Sequence, residues 1–112
     1  MLEGKTYDAV CQNFKWNIPE TYNIGVDVCD KWADGSNRLA LIYVDPDEKE
    51  QRFSFQDLKA LSNRLANALR ANGLEQRERV GILLPQCPET LISHIAVYKL
   101  GCIALPLLTL FG

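Results

Sequence analysis

No C-x-x-C pair, no cluster of glycines and no surplus of basic residues occur in this sequence, and each absence removes a class of function. The four cysteines, Cys11, Cys29, Cys87 and Cys102, stand far apart and no histidine lies at zinc-ligand spacing from them. They read as reduced thiols, mostly buried, in a cytoplasmic protein. The 7 glycines form neither G-x-G-x-x-G nor G-x-x-x-x-G-K-S/T, so the chain lacks a self-contained phosphate loop. Its 12 Lys and Arg against 14 Asp and Glu give a net charge of −2 without a basic stripe, and nucleic acid is not an implied partner. Pro85, Pro88, Glu89, His94, Lys99 and Pro106 interrupt the apolar stretch over 80–111, which argues against a transmembrane segment. Glu3, Lys5 and Asp8 break up the start of the chain where a secretory signal would need an apolar core.

What is present fits one folded unit. The 112 residues are 47% hydrophobic and 23% charged, ordinary values for a globular domain and far from a disordered composition. Residues 1–22 hold Phe14, Trp16, Ile18 and Pro19 without a steady period, which predicts an irregular N-terminal arm that needs a larger body to lie on. From residue 23 to 112 the chain reads as partial α/β domain. Asn23 is an N-cap for a short helix through Trp32, with Ile24, Val28 and Trp32 on one face and Gly35 ending it. Leu39 to Val44 and Arg52 to Phe55 form a β-hairpin whose turn starts at Asp45-Pro46-Asp47. That acidic tip lacks the glycine and distal glutamate of a calcium loop, so it is a solvated turn.

The clearest element follows. Ser54 and Asp57 stand at capping-box spacing and start a helix near Phe55. Leu58, Leu61, Leu65, Ala68 and Leu69 repeat at steps of three and four and predict its buried face; Gly73 stops it. Arg79 to Leu84 reads as a strand of a parallel sheet covered on both faces, ended by Pro85. Pro88 then opens a helix to about Leu100, with Leu91, Ile92, Ile95, Ala96 and Tyr98 inward, and Cys102 to Leu105 is a last strand before Pro106. The fold class is therefore α/β: a β-hairpin, then strand-helix-strand-helix-strand, the crossover pattern of an open sheet.

Two stretches resemble motifs of a known family. Phe53-Ser54-Phe55-Gln56-Asp57-Leu58 is similar to the first core motif of the AMP-forming adenylating enzymes, Leu-Thr/Ser-Tyr-x-Glu-Leu. Residues Tyr98-Lys99-Leu100-Gly101-Cys102-Ile103-Ala104-Leu105-Pro106-Leu107 resemble the second, Leu-Lys-Ala-Gly-x-Ala-Tyr-Leu-Pro-Leu. The spacing between the two also fits. The lead-in Phe14-Lys15-Trp16-Asn17-Ile18-Pro19-Glu20, with Tyr22-Asn23-Ile24, looks most like the medium-chain and acetyl-type acyl-CoA synthetases. One departure stands at Arg77-Glu78, where the family usually has Gly-Asp.

The resemblance implies the N-terminal part of the large domain of an adenylate-forming ligase. Such an enzyme joins a small-molecule carboxylate to ATP, with Mg2+ offsetting phosphate charge, and passes the acyl group to coenzyme A. In the family the phosphate-gripping loop, the adenine and ribose contacts and the catalytic lysine follow the two motifs present here. The expectation is therefore no catalytic, cofactor-binding or metal residue in this chain, none of ATP, Mg2+ or coenzyme A bound by it, and the remainder of the ligase domain as its partner. Cys87, at a strand end and helix start, reads as a capping or buried thiol; His94 as an ordinary helix histidine; Lys99 as a structural cation at a helix end. Two other readings stand beside this one: a stand-alone interaction or scaffold module that kept the fold without the chemistry, and a small nucleotide-binding enzyme, which the missing phosphate loop disfavours.

Overall fold

The structure is a computed structural model that describes residues 4–109. Expectations for 1–3 and 110–112 lie outside the described residues. Helix α1 (Tyr7–Asn13) opens the chain, capped by Thr6, whose side chain accepts from the Ala9 N–H at 3.3 Å. The arm expected to be irregular therefore contains one short helix. That helix buries nothing, and Trp16 beyond it is 80% exposed. The radius of gyration of 17.5 Å exceeds the ~13 Å of a compact chain of this length.

Asn23 caps α2 (Ile24–Val28) as expected, its Oδ1 accepting from the Val26 N–H at 3.2 Å. The helix is shorter than the sequence suggested and passes into a 3-10 turn over Asp30–Trp32. Its buried face also differs: Ile24, Val28 and Trp32 are exposed, whereas Gly25 and Cys29 are buried. The reason is close packing on a later helix. A Cβ on Gly25 would come within 2.6 Å of the Lys99 Cγ, so only glycine lets the two backbones meet.

Strands β1 (Leu39–Val44) and β2 (Glu50–Ser54) form the antiparallel hairpin. At its tip the Asp45 carboxylate accepts from the N–H groups of Asp47 at 2.9 Å and Lys49 at 2.8 Å, an Asx-type turn that satisfies the backbone without a metal. Helix α3 (Phe55–Ala71) starts on the full capping box: Ser54 Oγ accepts from the Asp57 N–H at 3.1 Å and Asp57 accepts from the Ser54 N–H at 2.8 Å. It ends in a Schellman motif, with Leu74 N–H on the Leu69 carbonyl, Gly73 N–H on the Arg70 carbonyl, and Gly73 at φ +93°. Its buried stripe is Leu58, Ser62 and Ala66, flanked by Leu61, Leu65 and Leu69. Ala68, expected inward, is exposed, because the stripe steps by four and Ala68 falls off its edge.

Strand β3 (Arg79–Leu83), helix α4 (Pro88–Lys99) and strand β4 (Ile103–Leu107) make a parallel β-α-β unit. Pro88 occupies the first turn of α4, where no N–H is needed. Ile92, Ile95, Ala96 and Val97 are buried along it, while Leu91 turns outward, against expectation. Pro106 does not end the last strand; it pairs in register with Ile82 on one side, which a proline tolerates where its nitrogen faces a free edge. The element order matches the α/β expectation. Among the described residues, however, β2 pairs only with β1, giving two two-stranded sheets in place of one open sheet. Among the described residues the parallel pair is covered on one face only. Val80, Ile82 and Ala104 pack toward the helices, and Leu83 on the opposite side is 60% exposed.

Two apolar clusters hold these pieces. One joins Cys29, Leu58, Ile92 and Ile95 to Phe53, Phe55 and Leu41; the other joins Ile82, Val97 and Cys102 to Leu69, Leu74 and Val80. Helices α3 and α4 contribute to both, so they form the spine on which the hairpin and the parallel pair are mounted.

Candidate functional site

The second motif is built around the C-terminus of α4. Gly101, at φ +67°, closes a second Schellman turn, with Cys102 N–H on the Val97 carbonyl at 3.1 Å and Gly101 N–H on the Tyr98 carbonyl at 3.0 Å. A Cβ there would lie 2.8 Å from the Gln76 amide nitrogen, so glycine serves both the backbone angle and the approach of the preceding loop. The loop carries the family departure. Arg77 itself sits in the left-handed region, at φ 72°, and donates its N–H to the Gly101 carbonyl at 3.0 Å. A conformation that suits glycine explains why the family usually places one there.

Lys99, one residue before this turn, reaches inward. Its ammonium lies 2.6 Å from Asp30 Oδ1 and donates to Ser62 Oγ and to Asn63 Oδ1, each at 2.8 Å. The contact with Asp30 is an ion pair by distance but not an aligned hydrogen bond, which leaves Oδ1 without a directed donor. Ser62 Oγ donates in turn to the Leu58 carbonyl at 2.6 Å. Asn23 adds a side-chain N–H to the Lys99 carbonyl at 3.1 Å. One lysine thus ties α2, the 3-10 turn, α3 and α4 together. Sequence reading gave Lys99 a structural place at a helix end but missed Asp30, Ser62 and Asn63. The available signal was Ser62, a hydroxyl at a position where the step of four from Leu58 demands a buried residue.

Cys87 and His94 come together on one side of α4, lining a groove of about 460 Å3 with Leu41, Tyr43, Leu91 and Tyr98. They form no reactive pair. Cys87 makes no capping hydrogen bond and its Sγ contacts Thr90 Oγ1 at 3.5 Å. His94 Nδ1 is 2.8 Å from the Thr90 carbonyl, which can only accept, so that nitrogen carries the proton. Lys99 lies apart from both, at a larger cleft of about 760 Å3 bounded by Tyr22, Asn23, Arg70, Gln76 and Gly101. Burial pushes the Cys29 thiol up, so it is inert as a nucleophile.

The larger cleft is bounded by three helix ends, one of them the N-terminus of α2 at Asn23 and Ile24. Helices α3 and α4 both end at it and turn their carbonyl ends, the negative poles, toward the space. Among the described residues no three His, Cys, Asp or Glu side chains are placed to hold a metal ion, and no helix is long and apolar enough to cross a membrane.

Comparison with known proteins agrees with the two motifs. The model of the AMP-binding enzyme family matches residues 29–112. The human mitochondrial acyl-coenzyme A synthetase ACSM3 is 33% identical over 89% of this chain and 18% of its own length. The acetyl-coenzyme A synthetase of Bacillus subtilis (strain 168) is 32% identical over 96% of this chain and 21% of its own. Among solved structures, the Brucella canis acyl-CoA synthetase superposes with a TM-score of 0.85 at 29% identity, covering 95% of this chain and 21% of that one. The chain spans about a fifth of the length of these relatives. With a family match over three quarters of its residues, and with both motifs folded as a helix start and a helix-to-strand turn, this chain belongs to the AMP-binding enzyme family, as an acyl-CoA synthetase-like segment of the large α/β domain.

Proposed function

We propose that residues 23–112 are the N-terminal part of the large domain of an AMP-forming acyl-CoA synthetase, with 1–22 as an arm laid over it, and that the 112-residue chain is inactive alone. The whole ligase would use ATP and Mg2+ to convert a small carboxylic acid to its acyl-adenylate and then transfer the acyl group to coenzyme A. In that enzyme the present residues are scaffold. None is assigned a catalytic, cofactor-binding or metal role, and the remainder of the ligase domain is their partner. The observation that carries this reading is the superposition on an acyl-CoA synthetase over 95% of the chain but 21% of the larger protein. The open face of the β3–β4 pair agrees with it, since parallel sheets are stable when both faces are covered. We place the protein in the cytoplasm on its free thiols, although the human relative is named as mitochondrial.

The test is to express the longest in-frame reading frame that contains this chain and supply ATP, Mg2+, coenzyme A and acids from acetate to dodecanoate. Formation of acyl-CoA and AMP supports the reading. A longer product that binds none of these and makes no AMP contradicts it and favours a scaffold module.

A further inference from the structure

Residues 4–33 are held to the rest of the chain by few groups. No residue from 4 to 22 is buried, and between 23 and 33 the buried ones are Gly25 and Cys29. Among the described residues the backbone hydrogen bonds of this segment stay within it, as from Asp27 to Asn23, Trp32 to Cys29 and Ala33 to Asp30. Its attachments converge on the end of α4. Asn23 donates to the Lys99 carbonyl, Asp30 faces the Lys99 ammonium, and Gly25 seats on the Lys99 Cγ, while Cys29 is the apolar anchor, set among Leu58, Ile92 and Ile95. Trp32, 40% exposed, adds a tilted ring contact with Phe55. Ser62 and Asn63 hold the same ammonium from α3, so the lysine keeps partners when Asp30 withdraws into water. The connection to the body turns at Gly35, φ +87° with no atom within 4 Å of a Cβ position, and at Asn37, φ 57°. Arg38, just beyond, is fixed to the body, its carbonyl accepting from the Phe55 N–H at 3.0 Å.

We propose that residues 23–33 are a clasp, which opens as a unit about a hinge at 34–37 while the hairpin, α3 and the β-α-β unit stay folded, and that Lys99 is its catch. The proposal does not depend on the ligase reading. A segment with one apolar anchor and a polar attachment belongs to the low-stability end of a structure, where sub-global opening occurs below the free energy of complete unfolding. An exposed turn with two left-handed residues is suited to absorb the rotation. Opening separates the clasp from the turn of the second motif, so the lysine of that motif governs whether α2 lies on α4. It also takes Cys29 out of its cluster, whereas Cys102, in the other cluster with Ile82 and Val97, stays covered. The two buried cysteines therefore report on two different events.

Thiol labelling of the full 112-residue chain tests this, with methyl methanethiosulfonate as the reagent and the extent at each cysteine read from peptide masses. The rate at each site, divided by its rate in the unfolded chain, gives an opening constant. In the wild type, Cys29 is expected to open at least tenfold more often than Cys102. Its opening constant should change little at low urea, because a small opening exposes little surface, while that of Cys102 rises with the full slope of unfolding. Lys99→Met, which strands Asp30 in the closed state, should raise the Cys29 opening constant about a hundredfold. Gly25→Ala, whose Cβ would lie 3.0 Å from the Ile95 carbonyl oxygen, should raise it at least tenfold with Lys99 intact. Ile82→Ala, in the other cluster, should raise the Cys102 constant and leave that of Cys29 unchanged. Equal opening constants with equal urea slopes at the two cysteines overturn the proposal, since the segment would then leave only when the whole chain unfolds. So does a Cys29 constant that Lys99→Met and Gly25→Ala leave unchanged, or one that rises with Ile82→Ala.

Discussion

Lys99 and Asp30 form the charged pair at the centre of this chain, 2.6 Å apart, with side chains 9% and 19% exposed. The lysine belongs to the second family motif, yet its partners are all internal: Asp30 on the 3-10 turn, and Ser62 and Asn63 on α3. Removing one member of such a pair strands the other in a poorly solvated place. Lys99→Met should therefore cost about 3 kcal/mol, read as a lower urea midpoint at unchanged slope. Asn63→Ala, which removes one exposed acceptor, should cost about 0.5 kcal/mol. Equal and small losses for both would contradict the hub.

The capping box gives a second expectation. Ser54→Ala removes an acceptor for the first turn of α3 and should cost about 1 kcal/mol of unfolding free energy. Its carboxylate partner adds a pH dependence. The Ser54 side chain and then the Ser54 backbone N–H hold the Asp57 carboxyl below its usual range. A carboxyl depressed in the folded state contributes stability above its unfolded value, near pH 4, and loses it as pH falls through the folded value. The stability gap between wild type and Asp57→Asn should thus be constant at neutral pH and close below about pH 4. A gap that fails to narrow as the pH falls below about 4 would contradict this assignment.

Arg77 supplies a substitution expected to stabilise. Its φ of 72° is unfavourable for a residue with a Cβ. Arg77→Gly relieves that strain, keeps the N–H bond to the Gly101 carbonyl, and should raise stability by up to about 1 kcal/mol after the greater chain entropy of glycine is counted. A thermal melt shows it; a lowered midpoint would mean that the Arg77 side chain has a stabilising role of its own.

Core packing gives the largest single-site effect. Leu58, 2% exposed, joins the hairpin to α3 and α4, so Leu58→Ala should cost 2–5 kcal/mol, about the value for a buried leucine. Leu91→Ala, at a position facing outward on α4, should change the midpoint little. Comparable losses would mean that α4 is turned differently on the spine.

Much of this architecture was legible because its signals are local. Ser54 with Asp57, Pro88 with Glu89, and Gly73 and Gly101 each mark a helix end through groups within a few residues of one another. Where burial depends on what lies across the fold, the sequence was a poorer guide. Ile24, Val28 and Trp32 have helical spacing, but Gly25 decides which face meets α4, because only its missing side chain allows contact with Lys99. Ala68 and Leu91 were assigned inward by period alone, and the two clusters are narrower than that period implies. The Lys99 hub escaped notice for the same reason, since Asp30 and Ser62 lie 69 and 37 residues from the lysine that joins them. As for the chemistry, the two motifs identify the family through scaffold turns.

The most direct test of the central claim, that these residues are scaffold of an acyl-CoA synthetase, is carboxylate-dependent exchange of pyrophosphate into ATP by the purified 112-residue chain in the presence of Mg2+. The account expects no exchange above a buffer blank with any acid from acetate to dodecanoate. Robust exchange that depends on both the acid and the protein would contradict it.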